Sequence, residues 1–447
     1  MRTILNMADP LLGLLAPQHF VEGGEPYRLM RYVVRQPVEE GLLLYNVMTK
    51  AMVLLDPDEV KKFEKDPSAV PGLVEGWFVV PESHDDRKLA REVRAVGKML
   101  SKPAKGISGY TILTTTDCNA RCFYCYEKGR SRIHMTEETA DAIIRYIIKH
   151  SSGENVRLRW FGGEPLFNKR VITRICTRLK EAGVPFRSSM VSNGLLFDEP
   201  TIAEAVDLWK LKKIQITLDG TEVVYNRVKN YVNPEGSPFR RVLGNIRLLV
   251  NAGVRVSIRL NIDRHNADDL FILADLLGAE FGGNPLVRVY SHSLFEACDV
   301  RAAVNHDDIQ RRELFEKQKR LREKLRDAGL SSPGKLAHSL KLNRCMADND
   351  SSIVILPDGH VGKCEHFSDS EWFSHVLSEE IDDRQIASFK QVRPELEACS
   401  ECVLYPDCFR LSKCEEAVHC YPEEREDKLL TLRDQILSYY KGYAVSD

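Results

Sequence analysis

The sequence predicts an α/β protein centred on a partial (β/α)6, TIM-like barrel. A small α+β N-terminal domain precedes it and a cysteine-rich C-terminal domain follows. The first reason is that strand-like and helix-like runs alternate between residues 107 and 290, with six strands in all. Such alternation gives a parallel sheet with right-handed crossovers. The second is that six units fall short of the eight that close a standard barrel. The third is that every conspicuous short motif of this region falls at a strand's C-terminal end, where such folds carry their chemistry.

The elements follow in order. Residues 27–35, 41–47 and 51–56 read as three short strands separated by turns. Asp56 and Pro57 open a helix over 56–66 with helix-start chemistry. A second helix over 85–100 places Leu89, Val93, Val96 and Leu100 on one face. This first domain is expected to span 1–105. It is either a packing appendage or a recognition module whose sheet edge accepts an extended peptide as a further strand. The barrel strands are predicted at 110–116, 156–165, 187–194, 213–220, 254–262 and 286–292, within a domain over 106–306. Thr136 caps a helix over 136–150, with acidic residues in its first turn. Another helix is expected over 168–183. The segment 307–329 is a highly charged helix with acid-to-base pairs at helical spacing, read as a solvated connector within 307–340. The last domain, 341–447, ends in a helix.

Composition excludes several classes. Lys plus Arg number 63 against 65 Asp plus Glu, a net charge of −2, which argues against nucleic-acid binding by bulk basicity. Residues 1–20 are interrupted by Asp9, Pro10 and Pro17 and lack the pattern of a signal peptide. No stretch has the apolar length needed to span a bilayer. A cytoplasmic protein with no membrane or nucleic-acid partner is expected. Twelve cysteines in such a chain point to metal or redox chemistry rather than to disulfides. Only Cys176 and Cys298 stand apart; three lie at 118–125 and seven at 345–420.

Cys118, Cys122 and Cys125 form C-x3-C-x2-C directly after the first barrel strand. A structural zinc site wants four ligands, and so does a ferredoxin-type cluster. Three on one loop suggest a centre left open at one position. Cysteines at this spacing could also line one helix face, but Asp117 and Asn119 flank Cys118 and favour a loop. Here the chain resembles the radical S-adenosylmethionine (SAM) superfamily, whose signature is C-x3-C-x-aromatic-C, with Tyr124 at the aromatic position. The resemblance implies a 4Fe–4S cluster on the three cysteines, its fourth iron taking the amino and carboxylate groups of SAM. "GGEP", Gly162, Gly163, Glu164 and Pro165, then matches the family's turn for the methionine amino group. Ser192 and Asn193 of "SNG" end the third strand, and Thr217 and Asp219 of "TLDG" end the fourth. Lys229 stands where the family usually has the Arg that clamps the SAM carboxylate, with Arg227 its competitor; Arg259 and Asn261 are further cofactor candidates.

The tail resembles the SPASM extension of radical SAM enzymes that modify peptides and proteins, which holds two auxiliary clusters. Gly359 and Cys364 are spaced G-x4-C, and Cys399, Cys402 and Cys408 are spaced C-x2-C-x5-C. The family's next C-x3-C is broken, because Ser412 stands at that position and Cys414 follows two residues later. Mapped by order, Cys399, Cys402, Cys408 and Cys420 hold one cluster and Cys345, Cys364 and Cys414 the other, making three 4Fe–4S clusters in all. Two zinc ribbons are the competing reading of the tail alone. Glu365 matches the position of a proton-accepting Asp in sulfatase-maturating enzymes and is a candidate general base; the alternative is a solvated carboxylate.

Taken together, the resemblance implies a radical SAM peptide maturase. It would use an electron donor such as flavodoxin or ferredoxin and act on a ribosomally synthesised precursor bound by the N-terminal domain. The expected product is a Cys thioether. Formylglycine generation, carbon–carbon crosslinking and epimerisation are alternatives, and a non-catalytic metal or redox sensor is the reading from another class.

Overall fold

The computed structural model describes residues 1–6, 26–100, 106–151, 155–294, 308–340, 345–367, 371–378, 380–414 and 420–446. Cys298 and most of the apolar start of the chain lie outside them. The chain forms two compact units, one of residues 1–102, 333–344 and 392–447, the other of 103–332 and 345–391.

In the first unit, β1 (Arg2–Leu5), β3 (Val33–Val38), β4 (Gly41–Asn46) and β5 (Met52–Leu55) build an antiparallel sheet in the order β1-β5-β4-β3. The single run expected at 27–35 is two strands, because the chain turns where the Val33 N–H donates to the Met30 carbonyl. β2 (Tyr27–Leu29) pairs instead with β6 (Val79–Pro81). α1 (Pro57–Lys65) starts as predicted, with a reciprocal capping box between Asp56 and Glu59. α2 (Asp86–Leu100) follows β6. One apolar core joins Leu43, Leu44, Met52 and Leu55 to Leu336, Tyr405, Ile436 and Tyr440 from the later segments. The N-terminal sheet therefore shares its core with the tail.

In the second unit six strands lie in chain order and all run parallel. They are β7 (Gly109–Thr115), β8 (Val156–Gly162), β9 (Phe186–Ser192), β10 (Leu211–Thr217), β11 (Arg255–Ile262) and β12 (Val287–Ser293). The helices between them are α3 (Glu137–His150), α4 (Lys169–Glu181), α5 (Glu199–Asp207), α6 (Glu222–Lys229), α7 (Pro238–Asn251) and α8 (Ala267–Phe281). Caps set their starts: Thr136, Asp198 and Ser237 each accept a backbone N–H of the first turn. The charged helix α9 is Asp308–Asp327. It is less of a solvated connector than its composition suggests, since Leu314, Leu321 and Leu325 are buried in the barrel's core.

The sheet continues beyond β7. Residues 352–355 (β13, Ser352–Ile355) pair parallel with β7, and β14 (His360–Gly362) and β15 (Trp372–His375) add antiparallel strands, for nine among the described residues. The short helix α10 (Asp383–Phe389) follows.

Candidate functional site

β7 delivers the chain into the cysteine loop, where Cys118, Cys122 and Cys125 are partly exposed thiols outside any disulfide. Burial around their sulfurs pushes the Cys118 thiol up to about 12 and Cys125 to about 11. Burial also raises Cys122, against the pull of Lys229. Thiols held this high stay protonated at neutral pH, so only binding a cation or a cationic cluster would draw them into the thiolate form.

The GGE turn supports this loop directly. Gly162 has φ +118°, and a Cβ there would stand 2.1 Å from the Thr115 carbonyl oxygen. At Gly163 a Cβ would stand 2.3 Å from the Asp117 carbonyl oxygen. Without side chains, Gly163 donates its N–H to Thr115 (3.0 Å) and Glu164 to Asp117 (2.9 Å). The glycines thus allow β8's end to bind the backbone that leads into Cys118. Pro165 is buried beyond it.

Glu164 is fully buried. Its carboxylate accepts from the Leu166 N–H (3.2 Å), the Ser192 hydroxyl (2.9 and 3.1 Å) and the Asn193 N–H (2.8 Å). Burial raises its pKa to about 7, despite those donors. Glu164 therefore ties β8's end to β9's. Asn193 extends the chain of contacts, donating to Asn119 (2.6 Å) and lying 3.8 Å from the Cys118 sulfur.

The fourth strand's end supplies a second buried group. Lys229, 3% exposed, forms an ion pair with Asp219 (2.9 Å) and donates to the Tyr124 hydroxyl (2.9 Å), which donates to Asp219 (2.7 Å). Burial, the largest single influence, opposes the Lys229 charge, but Asp219, Tyr124, Cys122 and Tyr225 together outweigh it and hold the ammonium's pKa well above its ordinary value. The Lys229 carbonyl accepts the Arg121 N–H within the cysteine loop (2.8 Å). Arg227, the rival candidate, is exposed. Thr217 ends β10 opposite Arg259 of β11, and Arg259 donates to Asn261 (2.8 Å). Two buried polar atoms remain without partners here, Asp219 Oδ1 and Asn119 Nδ2. A ring of strand ends, three thiols and unpaired polar atoms fits a bound iron–sulfur cluster with a polar cosubstrate.

Glu365, Cys364 and His366 lie after β14, in the same unit. The His366 ring stacks on Tyr126 (centroids 4.8 Å apart), and its carbonyl accepts from Arg130 (2.9 Å). Glu365 is buried and close enough to raise the pKa of Tyr126, after burial and Glu127. It also acts on Cys345. A carboxylate distant in sequence thus lies beside the residue following Cys125. Cys345 and Cys364 belong to this unit and Cys414 to the other.

In the first unit the remaining tail cysteines gather. The charges of Cys408, Cys420 and Cys399 all act on Cys402, whose thiol burial raises first. Cys402, Cys408 and Cys420 line a cavity of about 460 Å³, within the roughly 300–1,000 Å³ of ligand pockets. The loop is anchored to α2: the Arg94 guanidinium lies 4.5 Å from both the Tyr405 and Phe409 ring centroids. Arg87 and Arg91 bind Glu395 at 2.5 and 2.6 Å. Among the described residues no three His, Cys, Asp or Glu side chains converge closely enough for one metal ion. A four-iron cube, with each thiolate on a different iron, needs no such convergence.

Sequence reasoning missed Asn119, Tyr126 and Asn266. Asn266 donates to the Asp219 (2.9 Å) and Asn261 (2.7 Å) carbonyls and so joins two strand ends. For Tyr126 the signal was adjacency to Cys125; for Asn266 nothing local marks it.

Residues 112–277 match the family model of the radical SAM superfamily, and this stretch is a radical SAM domain. The chain is 28% identical over 127 residues to a probable GTP 3',8-cyclase of Methanococcus maripaludis, spanning 28% of this chain and 41% of that one. It is 22% identical over 284 residues to a GTP 3',8-cyclase of Clostridium perfringens (60% and 84%). It is 27% identical over 257 residues to the radical SAM cyclopropyl synthase TigE of Paramaledivibacter caminithermalis (52% and 50%). Its fold is similar to that of anSMEcpe with bound AdoMet (TM-score 0.57, 12% identity, 75% of this chain and 95% of that one). It is also similar to Streptococcus suis SuiB bound to precursor peptide SuiA (TM-score 0.52, 12% identity, 86% and 94%). No described helix is long and apolar enough to cross a membrane.

Proposed function

We propose that the chain is a radical SAM peptide maturase that joins a cysteine sulfur of a precursor peptide to a carbon of another residue. The observation that carries the reading is the three-thiol loop at the end of β7, braced by Glu164, Asn193 and Lys229 from three other elements. Cys118, Cys122 and Cys125 would hold a 4Fe–4S cluster with SAM, which supplies a 5'-deoxyadenosyl radical when reduced by a flavodoxin- or ferredoxin-type donor. Cys399, Cys402, Cys408 and Cys420, all in the first unit, would hold one auxiliary cluster, and Cys345 and Cys364 are candidate ligands of a second that can take a substrate thiolate.

This chain's residues supply orientation and proton handling. The Gly162–Gly163 turn fixes the loop's base, and Lys229 fixes Tyr124 between two of the thiols. Glu365 is the proton acceptor for the substrate, held beside Tyr126. The proposed peptide would add to the first unit along β3, an edge strand of its sheet among the described residues, where Pro37 withholds one donor. SuiB, of similar fold, is described with its precursor peptide.

The test is anaerobic incubation of the reconstituted full chain with SAM, reductant and a cysteine-containing peptide encoded beside the gene. The expected product has lost one hydrogen molecule and has one thiol fewer. An unchanged peptide, with turnover of a nucleotide instead, would favour the chemistry named for the cyclase relatives. Conversion of the cysteine to an aldehyde would favour formylglycine generation.

A further inference from the structure

The cavity lined by Cys402, Cys408 and Cys420 is also lined by Arg410, Arg425 and Lys428, all within the first unit. These cations are not equivalent. Arg410 is ion-paired with Glu424 at 2.6 Å, which offsets much of its charge. Arg425, in the first turn of the terminal helix (α11, Pro422–Ser446), directs its Nη1 at two atoms of Cys420. One reaches the carbonyl oxygen at 2.7 Å, the other the sulfur at 3.8 Å. The neighbouring carboxylate, Asp407, is engaged by Lys50 at 2.6 Å, and Lys50 is 1% exposed. The site therefore sets one guanidinium directly on a sulfur of a proposed cluster ligand, while Asp407 of the same cavity is held by another cation.

Cluster potentials follow net charge, hydrogen bonds to the sulfurs and exposure. Four thiolates give a cluster surplus negative charge, and each added electron increases it. A fixed cation donating to one of those sulfurs stabilises the reduced form more than the oxidised form. We infer that Arg425 is a positioning residue that raises the reduction potential of the four-cysteine cluster and so makes it an acceptor for one electron. In that role the substrate radical would be oxidised by one electron and the cluster reduced by one. The inference rests on the proposed reading that Cys399, Cys402, Cys408 and Cys420 hold a 4Fe–4S cluster.

The experiment uses the full chain with Cys118, Cys122, Cys125, Cys345 and Cys364 changed to Ala, so that only this cluster can assemble. Iron and sulfide are counted after anaerobic reconstitution, and the midpoint is read by reductive titration followed by electron paramagnetic resonance. Arg425→Met is expected to keep about four irons while the reduced-to-oxidised ratio at the parent's midpoint falls about tenfold, or about 59 mV for one electron. About four irons with an unchanged midpoint overturns the role of Arg425 and leaves the cluster reading intact. No iron in the parent with Arg425 present overturns the cluster reading itself. If Arg425→Met assembles no cluster, Arg425→Gln carries the test. Both contacts come from one nitrogen, Nη1, so a glutamine amide keeps a donor while removing the charge, and a fall is again expected. An unchanged midpoint in Arg425→Gln overturns the inference.

Discussion

Glu164 offers the sharpest test of how the site is built, through Glu164→Gln. The carboxyl group is fully buried and receives two backbone N–H groups, one on each oxygen, with the Ser192 hydroxyl between them. Protonated, it still accepts on both oxygens, because a hydroxyl oxygen retains lone pairs. A glutamine amide nitrogen cannot accept, so either flip leaves the Leu166 or the Asn193 N–H unsatisfied, costing about 1–3 kcal/mol. The pH dependence adds a second signature. The folded pKa is raised from 4.5 to about 7, so the folded state binds the proton more tightly than the unfolded state. Stability from this group is full below pH 4.5 and is lost as pH rises through about 7, a difference of about 3 kcal/mol. The glutamine variant lacks this loss. Its deficit should be largest at and below pH 4.5 and should vanish or reverse by about pH 8. Anaerobic urea unfolding followed by tryptophan fluorescence reads this, since Trp160 in β8 is fully buried. A deficit that grows with pH, or parallel profiles for the two proteins, would refute the argument.

Four further outcomes follow from the same geometry. Gly162→Ala must place a Cβ against the Thr115 carbonyl at a φ of +118°; it should cost at least about 1–3 kcal/mol and lower the iron content of the cysteine loop. Lys229→Met leaves Asp219 charged and buried, at a cost of about 3–5 kcal/mol; Asp219→Asn in the same chain should recover part of it, and additive losses would count against a coupled pair. Replacing Cys118, Cys122 and Cys125 by Ala should take reconstituted iron from about twelve to about eight per chain; no loss would overturn the open-site reading. Residues 1–105 expressed alone should give no cooperative unfolding transition by circular dichroism, because their core includes Leu336, Tyr405, Ile436 and Tyr440; a cooperative transition would show that the tail is dispensable.

The barrel was legible because each strand and helix signal is local. Alternating runs, Thr136 as a cap, and glycines at strand ends are read within a few residues, and the six parallel strands lie where they predict. The cysteine loop was legible for the same reason: Cys118, Cys122 and Cys125 stand close together in the chain, directly after a barrel strand. Other features depended on pairing across the chain. Residues 352–355 could have been any short apolar run until they joined β7. The sequence placed Glu164 in the turn for a bound ammonium, but not the backbone groups and Ser192 that its two oxygens accept from. It placed Lys229 as the clamp on a bound carboxylate, but not its pairing with Asp219 and Tyr124. The sequence by itself determined which residues are candidate ligands and where the six barrel strands lie. Only the tertiary structure decided which buried charges meet, because an ion pair between residues 219 and 229, or a core shared by residues 43 and 436, depends on packing that no local pattern records.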